Sequence, residues 1–131
     1  MFWKNVAESL DSFLGEKTDL KGKINVKGML RVDGILNGQV NADCVVLGET
    51  ATIKGDITAR KIIVGGKVEG NLDAKEIVEI KPKGKVLGDI STNKLVIIEG
   101  GEFNGKIEMK MDEGKGIELE KRPNELKTSY P

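Results

Sequence analysis

Ala51-Thr-Ile-Lys-Gly-Asp-Ile-Thr-Ala59 places a small or apolar residue at every second position around a central glycine: Ala51, Ile53, Gly55, Ile57 and Ala59. Alternation of period two is the pattern of a strand with one buried face. Its central step, glycine-x-aliphatic, returns as Gly22-Lys-Ile24, Gly38-Gln-Val40, Gly70-Asn-Leu72, Gly88-Asp-Ile90 and Gly105-Lys-Ile107. Counted from Gly22, successive glycines lie 16, 17, 15, 18 and 17 residues apart. So short a period, kept up over so many repeats, predicts a solenoid with one coil per repeat.

Aligned on these glycines, each coil divides into three short strands. The first holds Val40 and Ala42, Ile57 and Ala59, Leu72 and Ala74, or Ile90 and Thr92. The second holds Val45 and Leu47, Ile62 and Val64, Ile77, or Leu95 and Ile97. The third leads back to the next glycine through Ile53, Val68, Val86 or Phe103. Corners fall at Gly48, Gly65 and Gly66, Pro82 to Gly84, and Gly100 and Gly101. Stacked equivalents bury like on like, and backbone bonds then run between coils. The expected fold is all-β, a right-handed triangular parallel β-helix of about six coils over residues 18–111. The hand follows from the crossover rule and from coil lengths too uneven for a strict hexapeptide repeat. The first coil and the stretch near Glu79 and Ile80 are its least regular parts.

Composition narrows the function. The chain's 131 residues suit one domain. Lys plus Arg and Asp plus Glu stand at 21 each, and aromatic residues make up 4%, which argues against a nucleic-acid partner. Histidine is absent and Cys44 is the single cysteine. That removes the usual bases, nucleophile pairs and zinc ligands, and a lone cysteine suits a reducing cytosol. Gly65-Gly66-Lys67 lacks the spacing of a phosphate-binding loop. The aspartates that recur once per coil, Asp56, Asp73 and Asp89, read as solvated outer positions. The expectation is no catalysis, no metal and no cofactor. No run of about 20 apolar residues is present to span a bilayer, and the start does not resemble a secretion signal.

The two ends differ from the repeats. Over residues 1–17, Phe2, Trp3, Val6, Ala7, Leu10, Phe13 and Leu14 recur at helical spacing, with Gly15 as a stop. Such a segment either caps the first coil or anchors at a membrane surface through Phe2, Trp3, Val6 and Leu10. Residues 112–131 lose the pattern and read as a flexible tail.

Two surfaces stand out. Val46, Ile63, Val78 and Val96 align between inward positions and predict an outward apolar column. It reads as strand propensity on a tolerant surface, as a lateral or partner-binding face, or as a dock for a tail. The ends of the solenoid are open strand rims, which template further pairing unless blocked. Leu30, Phe103, Ile107 and Met109 are the residues assigned to that end contact. Identical ends meeting by two-fold contacts would build a filament without overall polarity.

Val32-Asp-Gly-Ile-Leu-Asn-Gly-Gln-Val40, the steps Gly55-Asp-Ile57 and Gly88-Asp-Ile90, and the opening Met1-Phe-Trp-Lys4 together resemble the bactofilin family. The resemblance covers about residues 18–111 and implies a polymer-forming bacterial cytoskeletal protein. It further implies nonpolar filaments assembled without nucleotide, held on the inner face of the cell membrane by the N-terminal stretch. Scaffolding of cell-wall enzymes, cell shape or motility is the family's range of roles. A proline-rich tail is missing here, which weakens any expectation of tail-mediated partners. The competing readings are a monomeric adaptor working through the lateral column and a hexapeptide-type acyltransferase. The second lacks its histidine base.

Overall fold

The computed structural model describes residues 12–109 and the backbone of residues 117–120. Every regular element among them is a strand: β1 Ser12–Leu14, β2 Asp19–Asn25, β3 Met29–Val32, β4 Ile35–Asn41, β5 Cys44–Leu47, β6 Thr52–Val64, β7 Lys67–Glu69, β8 Leu72–Ile80, β9 Lys85–Leu87, β10 Ile90–Ile98, β11 Glu102–Asn104, β12 Ile107–Met109 and β13 Ile117–Glu120. All pairings between them are parallel. The chain is an all-β solenoid of about six turns, as the repeat predicts.

Three ladders form its sides. The first face carries the residues before each repeat glycine, with Leu20, Leu36, Ile53, Val68, Val86 and Phe103 in one inward column. The second carries those after it, stacking Ile24, Val40, Ile57, Leu72, Ile90 and Ile107. The third face stacks β1, β3, β5, residues 61–64, 77–80 and 95–98, and β13. Ile53, Ile57, Ile62, Val64 and their stacked equivalents in the inner coils are buried, each contributing about 1.5–3 kcal/mol by leaving water. Thr92 is the buried polar exception in the column of Ala59 and Ala74, and its hydroxyl donates to the Lys94 carbonyl at 3.3 Å.

The repeat glycines turn the corner between the first and second faces. Gly22, Gly38, Gly55, Gly70, Gly88 and Gly105 all have φ between +132° and +154°. From Gly38 onward, a Cβ at any of them would come within 1.7–1.9 Å of the carbonyl oxygen of the preceding glycine in the column. Only a residue without a side chain lets the coils approach to hydrogen-bonding distance here.

Two expectations about the chain are corrected. The helical periodicity read through residue 14 gives way at Ser12, because β1 pairs Ser12, Phe13 and Leu14 with Leu30, Arg31 and Val32. Leu14 packs on the core while Phe13 points outward, 56% exposed. An open rim of unpaired backbone offers this segment more hydrogen bonds than an isolated short helix would. Beyond residue 112, β13 continues the third ladder on β10 where a tail was expected. Phe2, Trp3, Val6 and Leu10 lie outside the described residues.

A third correction concerns the lateral column. Val78 is fully buried, stacked between Ile62 and Leu95, and Glu79 takes the outward place between Ile63 and Val96. Ile77, expected inside, is half-buried on the outer side. The cause is one extra residue at a corner. Ala59 to Lys61 spans two steps, whereas the paired Ala74 to Ile77 spans three, and the neighbouring Thr92 to Lys94 returns to two. With side chains alternating at period two, a single added residue exchanges inside for outside along the strand that follows.

Candidate functional site

Among the described residues, no group of three or more His, Cys, Asp or Glu side chains could hold a metal ion. Cys44 is a half-buried free thiol, and burial pushes its pKa up, away from reactive thiolate. The polar outer positions instead tie coils together. Asp56 Oδ1 accepts from the Asn71 N–H at 3.2 Å, Asn71 Oδ1 from the Asp89 N–H at 3.3 Å, and Asp89 Oδ1 from the Lys106 N–H at 3.3 Å. Asp56 and Asp89 are therefore coil-to-coil acceptors as well as solvated charges. Lys106 has only donors on its side chain, so this run cannot continue past it in the same way.

At the corner between the second and third faces, Arg60 lies between Asp43 at 3.2 Å and Glu76 at 3.1 Å, linking three successive coils. The Arg60 hydrogen bond holds the Asp43 carboxyl below its ordinary range, and both acids raise Arg60. These groups are exposed, so the network aids register more than stability.

Among the described residues, each end of the solenoid is a rim of strands paired on one side only. At one end β11 and β12 each pair on one side only, bringing Phe103 over Val86, Ile107 over Ile90 and Met109 over Thr92. All three are half-buried and packed on the core. At the other end, β1 and β2 are the outermost strands of their ladders, and Leu14, Leu20 and Ile24 are its half-buried inward residues. Leu30 belongs to neither rim. It is completely buried beneath Ser12 and above Val45, which corrects its assignment to an end contact. The strand β1 covers it, and reading that segment as a helix hid the coil above it. Leu14, the residue that reasoning passed over, lies 18 positions before Val32, one coil length, and that spacing was the available signal.

The three outer faces are unlike. Between residues 23 and 108, every outward position of the second face is polar. The first face exposes only Ile35 and Leu87 among large apolar residues. On the third face the middle outward column runs Phe13, Arg31, Val46, Ile63, Glu79, Val96. Val46, Ile63 and Val96 hold outward places and are half-buried among their neighbours.

Among the described residues the solenoid ends in rims of half-buried apolar side chains, which fits an assembly module, and comparison with known proteins agrees. The family model for bactofilins, described as polymer-forming cytoskeletal, matches residues 12–108, beginning where β1 begins. The chain belongs to the bactofilin family. Two bactofilins of Myxococcus xanthus (strain DK1622) are similar to it. BacO is 26% identical over 104 residues, covering 79% of this chain and 82% of BacO. BacP is 27% identical over 100 residues, covering 76% of this chain and 42% of BacP, so the match spans less than half of that relative. No solved structure matches the chain. Among the described residues, no helix is long and apolar enough to cross a membrane.

Proposed function

We propose that this chain stacks end to end into nonpolar filaments on the inner face of the cell membrane, without nucleotide. There it scaffolds cell-shape, cell-wall or motility machinery. The observation that carries this reading is the pair of open rims. Each combines strand edges that no described residue pairs with and half-buried apolar centres, Leu14, Leu20 and Ile24 at one end and Phe103, Ile107 and Met109 at the other. Stacking a second rim would complete the ladders and bury those side chains, and like-on-like contacts at both ends propagate without polarity.

Phe103→Arg should abolish filaments in negative-stain electron microscopy while leaving the strand signal in circular dichroism unchanged. Filaments that persist would move the contact elsewhere, and native protein that stays monomeric at high concentration would return the reading to an adaptor. The membrane part rests on Phe2, Trp3, Val6 and Leu10. Deleting residues 2–10, which spares β1, should abolish co-sedimentation with anionic lipid vesicles and leave assembly intact. Binding that survives the deletion rules that anchor out.

A further inference from the structure

The rim formed by β1 and β2 carries both a step and a charge order. The chain enters at β1 on the third face, passes to β2 across the first and second faces, and returns to the third face with β3 beneath β1. The rim is therefore a ramp. It falls by one strand spacing, about 4.8 Å, from the start of β1 to the end of β2, and its step lies where the second and third faces meet. On the first face, β2 presents Asp19 and Lys21 outward on either side of Leu20, which packs on the core. The coil beneath offers neither an opposite charge, since Ile35 lies under Asp19 and Asn37 under Lys21. The Thr18 carbonyl accepts from the Ile35 N–H at 2.8 Å, so the backbone of Thr18 faces the coil beneath. Backbone groups alternate sides along a strand, and those of Asp19 and Lys21 therefore point to the rim.

We propose that a second copy of this chain joins this rim across a two-fold axis at Leu20, with Asp19 of each copy opposite Lys21 of the other. This register rests on the end-to-end reading above. A two-fold axis perpendicular to the solenoid reverses strand direction, so pairing across the joint is antiparallel, whereas β1 and β2 pair in parallel within the chain. Two ramps of one hand close without a gap only when step meets step. That requirement sends the axis through the corner of the second and third faces and out through the middle of the first face, at Leu20. Leu20 then meets Leu20 of the second copy, and Ile24 meets Leu14. Asp19 and Lys21 exchange backbone hydrogen bonds across the joint, as edge-facing residues of an antiparallel pair do.

Two other antiparallel registers keep inward side chains inward, and both fail. Centred on Gly22, β2 on β2 sets Lys21 against Lys23 of the second copy twice and drives the two β1 strands into each other. Centred on Ile24, it matches no opposite charges and drives β1 into the first-face half of β2. Opposite charges facing each other across a strand pair favour it and like charges oppose it, so charge and step select the same centre. Ion pairs this exposed add little affinity. They choose the register, while the strand edges and the cover given to Leu14, Leu20 and Ile24 hold it.

The test is a charge exchange in the full chain, read by negative-stain electron microscopy and sedimentation velocity. Lys21→Asp and Asp19→Lys should each raise the protein concentration needed for filaments at least about tenfold. Below that concentration each should leave two-molecule particles joined at the other rim. The double variant Asp19→Lys/Lys21→Asp should assemble like the native chain, because its pairs return with their signs exchanged. An equimolar mixture of the two single variants should also recover, since each supplies the charge the other lacks. Unchanged strand content in circular dichroism separates a broken joint from a broken fold. Filaments undiminished in either single variant, or a double variant and mixture as weak as the singles, would overturn this register and leave the end-to-end reading standing. A contact with fixed charges on any other surface makes the double variant the weakest of all, which also sinks it. A native chain that forms no filaments takes down both.

Discussion

A Cβ on Gly55 would lie 1.7 Å from the carbonyl oxygen of Gly38, at a φ of +148° that side-chain-bearing residues rarely adopt. Gly22 has a similar φ of +132° but meets nothing within 4 Å, since no described residue stacks on it at that corner. Gly55→Ala should therefore cost about 3 kcal/mol or more, combining backbone strain with a clash no rotamer relieves. Gly22→Ala should cost about 1–2 kcal/mol from strain alone. Urea denaturation of an assembly-blocked background would measure both, and equal losses would contradict the steric account. Val78 and Val46 make a second contrast. Val78→Asp buries a carboxylate with no partner and should cost at least about 4 kcal/mol. Val46→Asp, on the outer column, should cost less than about 1 kcal/mol in the same measurement. The reverse order would restore the uninterrupted apolar column that the sequence suggests.

At the scale of the strand and its corner, the extra residue between Ala74 and Ile77 sets the phase of everything to Ile80. Lys75 and Glu76 stand where neighbouring coils have a single residue, Arg60 or Asn93. Deleting Lys75 would give this corner its neighbours' length and keep Val78 inside. The protein should stay folded, with a stability loss of about 1 kcal/mol or less. Deleting Glu79 would instead break the strand's own alternation and turn Ile80 outward, a far larger loss. Thermal unfolding of the two deletions decides between a corner that absorbs the change and a strand that cannot. This coil shows where alignment by glycines reaches its limit. Gly55 and Gly70 define the repeat, but they sit at another corner and say nothing about residues inserted after Ala74. The inward pairs on either side, Ile62 with Val64 and Leu95 with Ile97, follow directly from alternation because their corners have the common length.

For the whole molecule, stability rises from the rims toward the middle, since each coil relies on its neighbours for both hydrogen bonds and apolar cover. Leu20, Ile24, Phe103 and Ile107 are half-buried, whereas Ile53, Ile57 and Leu72 in the central coils are enclosed. In an assembly-blocked variant, amides of residues 19–25 and 102–109 should exchange faster than those of residues 52–64. In the polymer that difference should shrink. Rim amides that gain no protection on assembly would place the filament contact away from the ends. The repeat length, the alternating inward residues, the glycine corners and the absence of histidine chemistry follow from the order of residues alone, because they are local patterns of fixed period. The strand at Ser12, the burial of Leu30 beneath it, the inversion of Val78 with Glu79 and the uncharged neighbours under Asp19 and Lys21 emerge only from the folded solenoid. Each depends on which residues one coil lays over another, and that register is settled by hydrogen bonds between positions some 15 to 18 residues apart.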